Sequence, residues 1–235
     1  MDSATVNGLR DRSRVDELMD QPGLDPLAHG HALRGLERIN TLSRSESILW
    51  PSIARLARAS TRCVRVLDLA CGGGDVTSAL AARAMRHRLN LTVDGCDYSP
   101  TAVSLASAKG ENSTYFHLDV LRDPFPEGYD VLCCSLFLHH LDEEEAVHLL
   151  QKMSTAAGHL VLINDLSRSQ FGYLLAWVGC HVLSRSYVVR TDGPASVLGA
   201  FTPAEALRLA KQAGLVGSTV TRRWPARFLL SWSRS

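Results

Sequence analysis

A doubly wound α/β fold is what this 235-residue sequence predicts. Three observations carry that reading. Strand-like apolar runs alternate with helical stretches across residues 64–165. The runs are nearly continuously hydrophobic, as strands buried on both faces of a parallel sheet are. One of them, VRVLDLA at 64–70, passes straight into the glycine cluster Gly72-Gly73-Gly74 before a helix opens.

In chain order, residues 1–20 are polar without a sustained pattern and are expected to fray. Asp25-Pro26 offers an N-cap followed by proline at the first helical position, and Leu27, Leu33, Leu36 and Ile39 follow at helical spacing. A second helix spans about 45–59, with Ile48, Leu49, Ile53 and Leu56 on one side; Pro51 either starts or kinks it. Strand 64–70 and helix 75–85 come next, then strand 91–97 (LTVDGCD). Ser99-Pro100 caps a helix over 101–109. Strands follow at 114–119 (TYFHLD) and 129–138 (YDVLCCSLFL). Asp142 caps helix 143–156, and HLVLIND at 159–165 is the fifth strand.

The alternation then breaks. FGYLLAWVGCHVL at 171–183 is apolar nearly all round, and the turn-rich TDGPAS precedes the next helix. Thr202-Pro203-Ala204-Glu205 is a capping box opening a helix to Ala213, which Gly214 is placed to end. Two last strands, 218–222 and 227–232, lie close enough to pair antiparallel, making seven. This predicts one domain: an N-terminal helical cap (1–60) on a core (61–235) with an insertion at 167–201.

Twenty-five Lys and Arg against 24 Asp and Glu, with no basic run, provide no electrostatic case for nucleic acid or an anionic membrane. The six cysteines show neither C-x-x-C nor a zinc spacing with histidine, so no metal is expected and the thiols read as buried in a reducing compartment. With a polar first 20 residues and no apolar run near the ~20 residues that span a bilayer, the expected location is cytoplasmic.

A glycine-rich strand-to-helix turn suits either a phosphate or a nucleoside lacking phosphates. The dinucleotide pattern G-x-G-x-x-G fails: with Gly72 and Gly74 as its first glycines, the third falls on Thr77. No Lys-Ser/Thr follows to make a P-loop, and Asp75 would repel a pyrophosphate. A ligand carrying ammonium and sulfonium charge meets no such objection. Asp97 ends the second strand, 23 residues after Gly74, where a carboxylate can accept both ribose hydroxyls. Tyr98 could cover an adenine face, and Asp119, ending the third strand, could accept from the adenine amino group. As purely structural residues, Asp97 would cap a loop and Asp119 would close a turn.

VLDLACGGGD, VDGCDYSP, FHLDVLRDPFPEGYDVLCCSLFLHHL and GHLVLIND together resemble the class I S-adenosylmethionine-dependent methyltransferases over about 64–165. Ala70 stands where that family usually has its first glycine. The resemblance implies a Rossmann-like, mostly parallel seven-stranded sheet with an antiparallel last strand, an N-terminal helical cap and an inserted helix after the fifth strand. It implies that Asp68, Ala70, Cys71, Gly72 and Gly74 line the methionine and ribose side of S-adenosyl-L-methionine. Asp97 with Tyr98 would hold the ribose and its surroundings, Asp119 with Val120 the adenine, and Ser135 with Leu136 would pass beneath the methionine moiety.

Methyl transfer from a sulfonium is an in-line displacement that rewards positioning. A phenol or hydroxyl acceptor also gains from a general base. His139 and His140 follow the fourth strand on the ligand-binding rim and are the candidate bases, His140 somewhat preferred; alternatively they only pack on the next turn. Asn164 and Asp165 end the fifth strand on the same rim; they either shape the acceptor site or tie off the loop, the latter preferred. One of Arg34, Arg38, Asn40 and Arg44 of the cap could close over the cofactor carboxylate, although for any single one a solvated helix face is the preferred reading. Segment 171–183 is a buried helix, a lid over an apolar acceptor, or a peripheral membrane contact. The layout is similar to small-molecule methyltransferases of ubiquinone/menaquinone biosynthesis, whose relatives act in secondary metabolism on phenolic polyketides. That resemblance implies O-methylation of a phenol first, C-methylation of a quinone precursor second. A non-catalytic cofactor-binding partner subunit and an NAD-dependent oxidoreductase are the other classes weighed; the latter lacks its third glycine and a Tyr-x-x-x-Lys pair.

Overall fold

The computed structural model describes residues 9–14, 18, 45–109, 112–184 and 186–234. The helix expected over Leu27–Ile39, with Arg34, Arg38, Asn40 and Arg44, lies outside the described residues. The elements from residue 45 onward are α1 (Ser45–Ala59), β1 (Val64–Leu69), α2 (Asp75–Arg86), β2 (Leu91–Asp97), α3 (Pro100–Ser107), β3 (Tyr115–His117), β4 (Val131–Ser135), a 3₁₀ turn (Leu138–His140), α4 (Glu143–Ala156), β5 (Leu160–Leu166), α5 (Gln170–Leu183), α6 (Tyr187–Gly199), α7 (Pro203–Gln212), β6 (Thr219–Arg223) and β7 (Arg227–Ser233).

The strands form one sheet in the order β3-β2-β1-β4-β5-β7-β6. β1 to β5 pair in parallel, and β7 runs antiparallel between β5 and β6. The chain moves outward from β1 to β3, then returns to place β4 on the other side of β1. That reversal opens a crevice beyond the carboxyl ends of β1 and β4, where ligands bind in such sheets.

The central strands β1, β4 and β5 are buried on both faces, which is why they read as nearly unbroken apolar runs. Leu67, Leu69, Leu132 and Cys134 pack on one face with Leu149, Leu150, Met153 and Leu209 of α4 and α7. Val64, Val66, Val131 and Cys133 pack on the other with Leu49, Ile53 and Leu80 of α1 and α2. Neighbours along a strand thus divide between two cores, as the period of two requires.

Local signals place most helix starts. Ser99 accepts the Ala102 N–H, and Asp142 and Thr202 form capping boxes with Glu145 and Glu205. Pro51 lies inside α1, which continues through it.

The structure corrects the sequence reading at four places. The fourth strand stops at Ser135, because Leu136 takes a left-handed φ of 58° and cannot extend the ladder. The third strand shortens to Tyr115–His117. TDGPAS is not a turn but the middle of α6, so the insertion holds a second helix besides the expected one. Packing overrides propensity there: a Cβ on Gly193 would fall 2.2 Å from Cys180 Sγ of α5, and Asp192, Pro194 and Val197 are buried. Finally, residues 9–14 do not behave as a frayed end. Ser13 N donates to Leu198 O at 3.1 Å, and Arg12 and Arg14 bond across the molecule.

No described helix is long and apolar enough to cross a membrane. Nor is α5 an ordinary buried helix, since Phe171, Leu174, Trp177, Val178 and Val182 are exposed.

Candidate active site

The turn after β1 is built from left-handed backbone: φ is 52° at Ala70, 55° at Gly72 and 73° at Gly74. Alanine there costs about 1–2 kcal/mol, which accounts physically for the glycine usual at that position in the resembled family. Gly74 has a second reason to be glycine, since a Cβ would come within 2.7 Å of the Tyr115 ring and 2.8 Å of Ala106. Beneath the turn lies Asp68, 1% exposed, whose Oδ2 accepts from Thr77 Oγ1 at 2.7 Å. Burial pushes the Asp68 carboxyl up to about 7, against the Thr77 hydrogen bond, which favours the ionised form. Asp68 therefore supports the turn from behind. Cys71 is buried too, and burial raises its thiol far above the usual range.

Asp97 ties the ends of β1 and β2 together. Its Oδ2 accepts the Gly72 N–H at 2.8 Å and its Oδ1 the Ser99 N–H at 2.8 Å. A carboxylate accepts about four hydrogen bonds, so these two do not by themselves saturate it. Tyr98 is exposed, and its ring lies 5.7 Å from that of His117. Asp119 closes its own turn, Oδ1 accepting from Leu121 N at 2.9 Å and Arg122 N at 3.2 Å. Val120 is buried, its carbonyl accepting from Lys152 Nζ at 2.8 Å. At the end of β4, Ser135 Oγ accepts from Asn164 Nδ2 at 3.3 Å, and Leu136 N donates to Asn164 O at 2.8 Å. Asn164 Oδ1 is buried with no hydrogen-bond partner among the described residues. An acceptor beside Ser135, a carboxylate beyond β2 and a turn carrying Asp75 fit a nucleoside with a cationic tail, and they disfavour a pyrophosphate.

The two histidines differ. His139 is 5% exposed, and its Nδ1 lies 2.7 Å from Oδ1 of Asp165, itself 1% exposed. The His139 backbone N–H donates to Asp165 Oδ2 at 3.1 Å. Burial alone would raise the Asp165 carboxyl, but the His139 ring and the N–H of Leu166 outweigh it and hold it below the usual range. An ionised carboxylate only accepts, so His139 Nδ1 is the donor, and the neutral ring carries its lone pair on Nε2. His140 is half-buried, with its ring centroid 4.3 Å from that of His139 and 6.0 Å from that of Phe137.

Sequence reasoning assigned Asp165 to a loop and passed over Arg227. Arg227 opens β7 opposite Leu166, is 3% exposed and donates to Ser45 Oγ at the start of α1. Burial lowers its guanidinium to about 10, while Asp165 and Asp75 act to raise it. No local pattern marks either residue, because their partners lie far along the chain. No described cluster of His, Cys, Asp and Glu has the makings of a metal site.

Comparison with known proteins bears on the fold and the domain. The family described as "Methyltransferase domain" matches residues 66–157. The ubiquinone biosynthesis O-methyltransferase of Thiobacillus denitrificans is 28% identical over 70% of this chain and 69% of its own length. Its namesake from Methylococcus capsulatus is 31% identical over 64% of this chain and 62% of its own. The chain spans 59% of a third, from Cupriavidus pinatubonensis. Among solved structures, a plantazolicin methyltransferase in complex with SAH superposes with a TM-score of 0.65 at 15% identity, covering 91% of this chain and 90% of its own. Human N-acetylserotonin methyltransferase in complex with SAM superposes at 0.64 and 16% identity, over 98% and 65%. Residues 66–157 thus match a methyltransferase domain, and in strand order, in the turn after β1 and in its relatives the chain is similar to the class I S-adenosylmethionine-dependent methyltransferases.

Proposed function

We propose that the protein O-methylates a small, lipophilic phenolic acceptor, with His139 as general base and Asp165 orienting it. The observation that carries this is the buried 2.7 Å His139–Asp165 pair on the rim beside the glycine turn. The O-methyltransferase relatives support the same reaction class. What favours His139 over His140, the residue the sequence pointed to first, is that carboxylate. It holds the ring in one tautomer and stabilises the cation formed when Nε2 takes the phenol proton.

On this reading Asp97 accepts from the ribose, and Ala70, Cys71, Gly72 and Gly74 bring backbone against the ribose and methionine side. Asp68 acts through the turn it supports. Asp119 and Val120 border the adenine with Tyr98, and Ser135 and Leu136 underlie the methionine moiety. The bound cofactor supplies the electrophilic methyl group. The acceptor side comes from the segments added to the core, 1–60 and 167–201. The exposed apolar residues of α5 support an apolar acceptor, delivered either from solution or from a bilayer surface that this face touches.

Incubation with S-adenosylmethionine and a panel of phenols and quinone precursors, read by mass spectrometry and NMR of the product, tests this. An O-methyl product formed at a rate that His139→Ala abolishes is the expected result. C-methylated products, or no methylated product while cofactor binds, would reject it. Flotation with vesicles reads the bilayer contact separately.

A further inference from the structure

We infer that Arg12, seconded by Arg14, is a positioning residue that clamps the histidine turn and the insertion into one acceptor-side wall. The inference deepens the proposed O-methyltransferase reading and rests on it for its catalytic meaning. Arg12 Nε donates to Gly199 O at 2.6 Å, at the end of α6. Its Nη2 donates to His139 O at 3.0 Å and to Leu141 O at 2.5 Å, bracketing the 3₁₀ turn. The same guanidinium lies 3.8 Å over the Phe201 ring. One planar group thus joins three stretches of chain, which the fixed fork of arginine suits and the point charge of lysine does not. Arg14 Nη1 adds a bond to His140 O at 2.8 Å and a contact to Glu145 at 3.2 Å. Ser13 N bonds Leu198 O at 3.1 Å, and Leu18 N bonds Asp192 Oδ1 of α6 at 3.0 Å.

Every one of these bonds ends on the 3₁₀ turn, the start of α4, or α6 and its exit. The peptide on which His139 rides has Arg12 on its carbonyl oxygen and Asp165 on its N–H and ring. Releasing the carbonyl side lets the ring drift. A misplacement of ~1 Å at a reacting group can cost about 10²-fold in rate.

The test compares wild type with Arg12→Ala, Arg12→Lys, Arg14→Ala and, as control, Arg10→Ala, whose side chain is exposed on the same segment. Two readouts are used. The NMR signals of the His139 and His140 rings report position without any acceptor, and kcat with a phenol reports catalysis. Arg12→Ala is expected to shift and broaden both ring signals and lower kcat about tenfold or more, with S-adenosylhomocysteine affinity unchanged. Arg12→Lys should recover part of both, and Arg10→Ala should match wild type. Unchanged ring signals and kcat in Arg12→Ala would overturn the inference, as would an equal loss of cofactor affinity. Wild type that turns over no phenol sinks the proposed reaction, while the ring signals still decide the clamp. Should Arg12→Ala fail to fold, Arg12→Lys and Arg14→Ala decide it by the same readouts.

Discussion

The turn after β1 and the turn after β4 lie side by side on one rim of the sheet, and they are held in opposite ways. The first is made of near neighbours. Ala70, Gly72 and Gly74 set its backbone, and Asp68 steadies Thr77 nine positions on. Asp97 accepts the Gly72 N–H across 25 positions, and the Tyr115 hydroxyl reaches the Gly74 carbonyl across 41. The second turn is held from afar. Its histidine pairs with Asp165 26 positions away, and Arg12 reaches it across 127. On the proposed reading, a short contiguous motif faces the cofactor. The same reading draws the acceptor side from added segments, which can change without disturbing the first turn.

On the proposed mechanism, removing His139 has the largest effect. His139→Ala should lower kcat for a phenol by about 10²–10⁴-fold, with cofactor affinity nearly unchanged, whereas His140→Ala should cost far less. Equal losses would erase the distinction between the rings. At the first turn, Asp97→Ala should weaken S-adenosylhomocysteine binding about 10- to 100-fold, as loss of hydrogen bonds to a charged group does, measured by calorimetry. A variant that binds normally but turns over slowly would place Asp97 on the wrong side of the comparison.

Subtler is the pH dependence of Asp68. Its folded pKa of about 7 lies above the ordinary carboxylate value, so the native state holds a proton that the unfolded chain has released. Stability from this group is therefore lost as pH rises from about 4 towards 7. Asp68→Asn, which still accepts from Thr77, should remove that slope in melting curves across this range. Asp165 works with the opposite sign. Its carboxyl is held low by His139, so its contribution is present above about pH 4 and disappears as pH falls further. The smallest effect is expected for Ala70→Gly. It relieves left-handed strain of about 1–2 kcal/mol against a Gly entropy cost of about 0.5–1 kcal/mol. A rise in Tm of a few degrees is the expected outcome, and a fall would mean that the Ala70 methyl makes a contact worth more than the strain.

Much of the molecule was legible before folding because its causes are local. The extents of α1 and α4, the capping boxes at Asp142 and Thr202 and the left-handed turn at Gly214 follow from residues within a few positions of one another. The same holds for the turn after β1 and for Asp97 at the end of β2. α6 went unread because its Asp192-Gly193-Pro194 core is intrinsically poor in helix, and packing that buries Val188, Val189, Pro194 and Val197 and brings Gly193 against Cys180 compensates. Arg12 was taken for part of a frayed end because the partners it meets, Gly199, His139 and Leu141, lie far along the chain. Asp165 was taken for a loop acid because a carboxylate at a strand end looks the same with or without a histidine across the crevice.

The sequence by itself determined the sheet, its two apolar faces and the glycine turn after β1, since strand burial, helix caps and positive φ are written in adjacent side chains. Only the tertiary structure decided which histidine meets a carboxylate, where the first described residues attach, and how the insertion folds. Those depend on contacts whose partners are brought together by the whole sheet, at separations over which no periodicity survives in the chain.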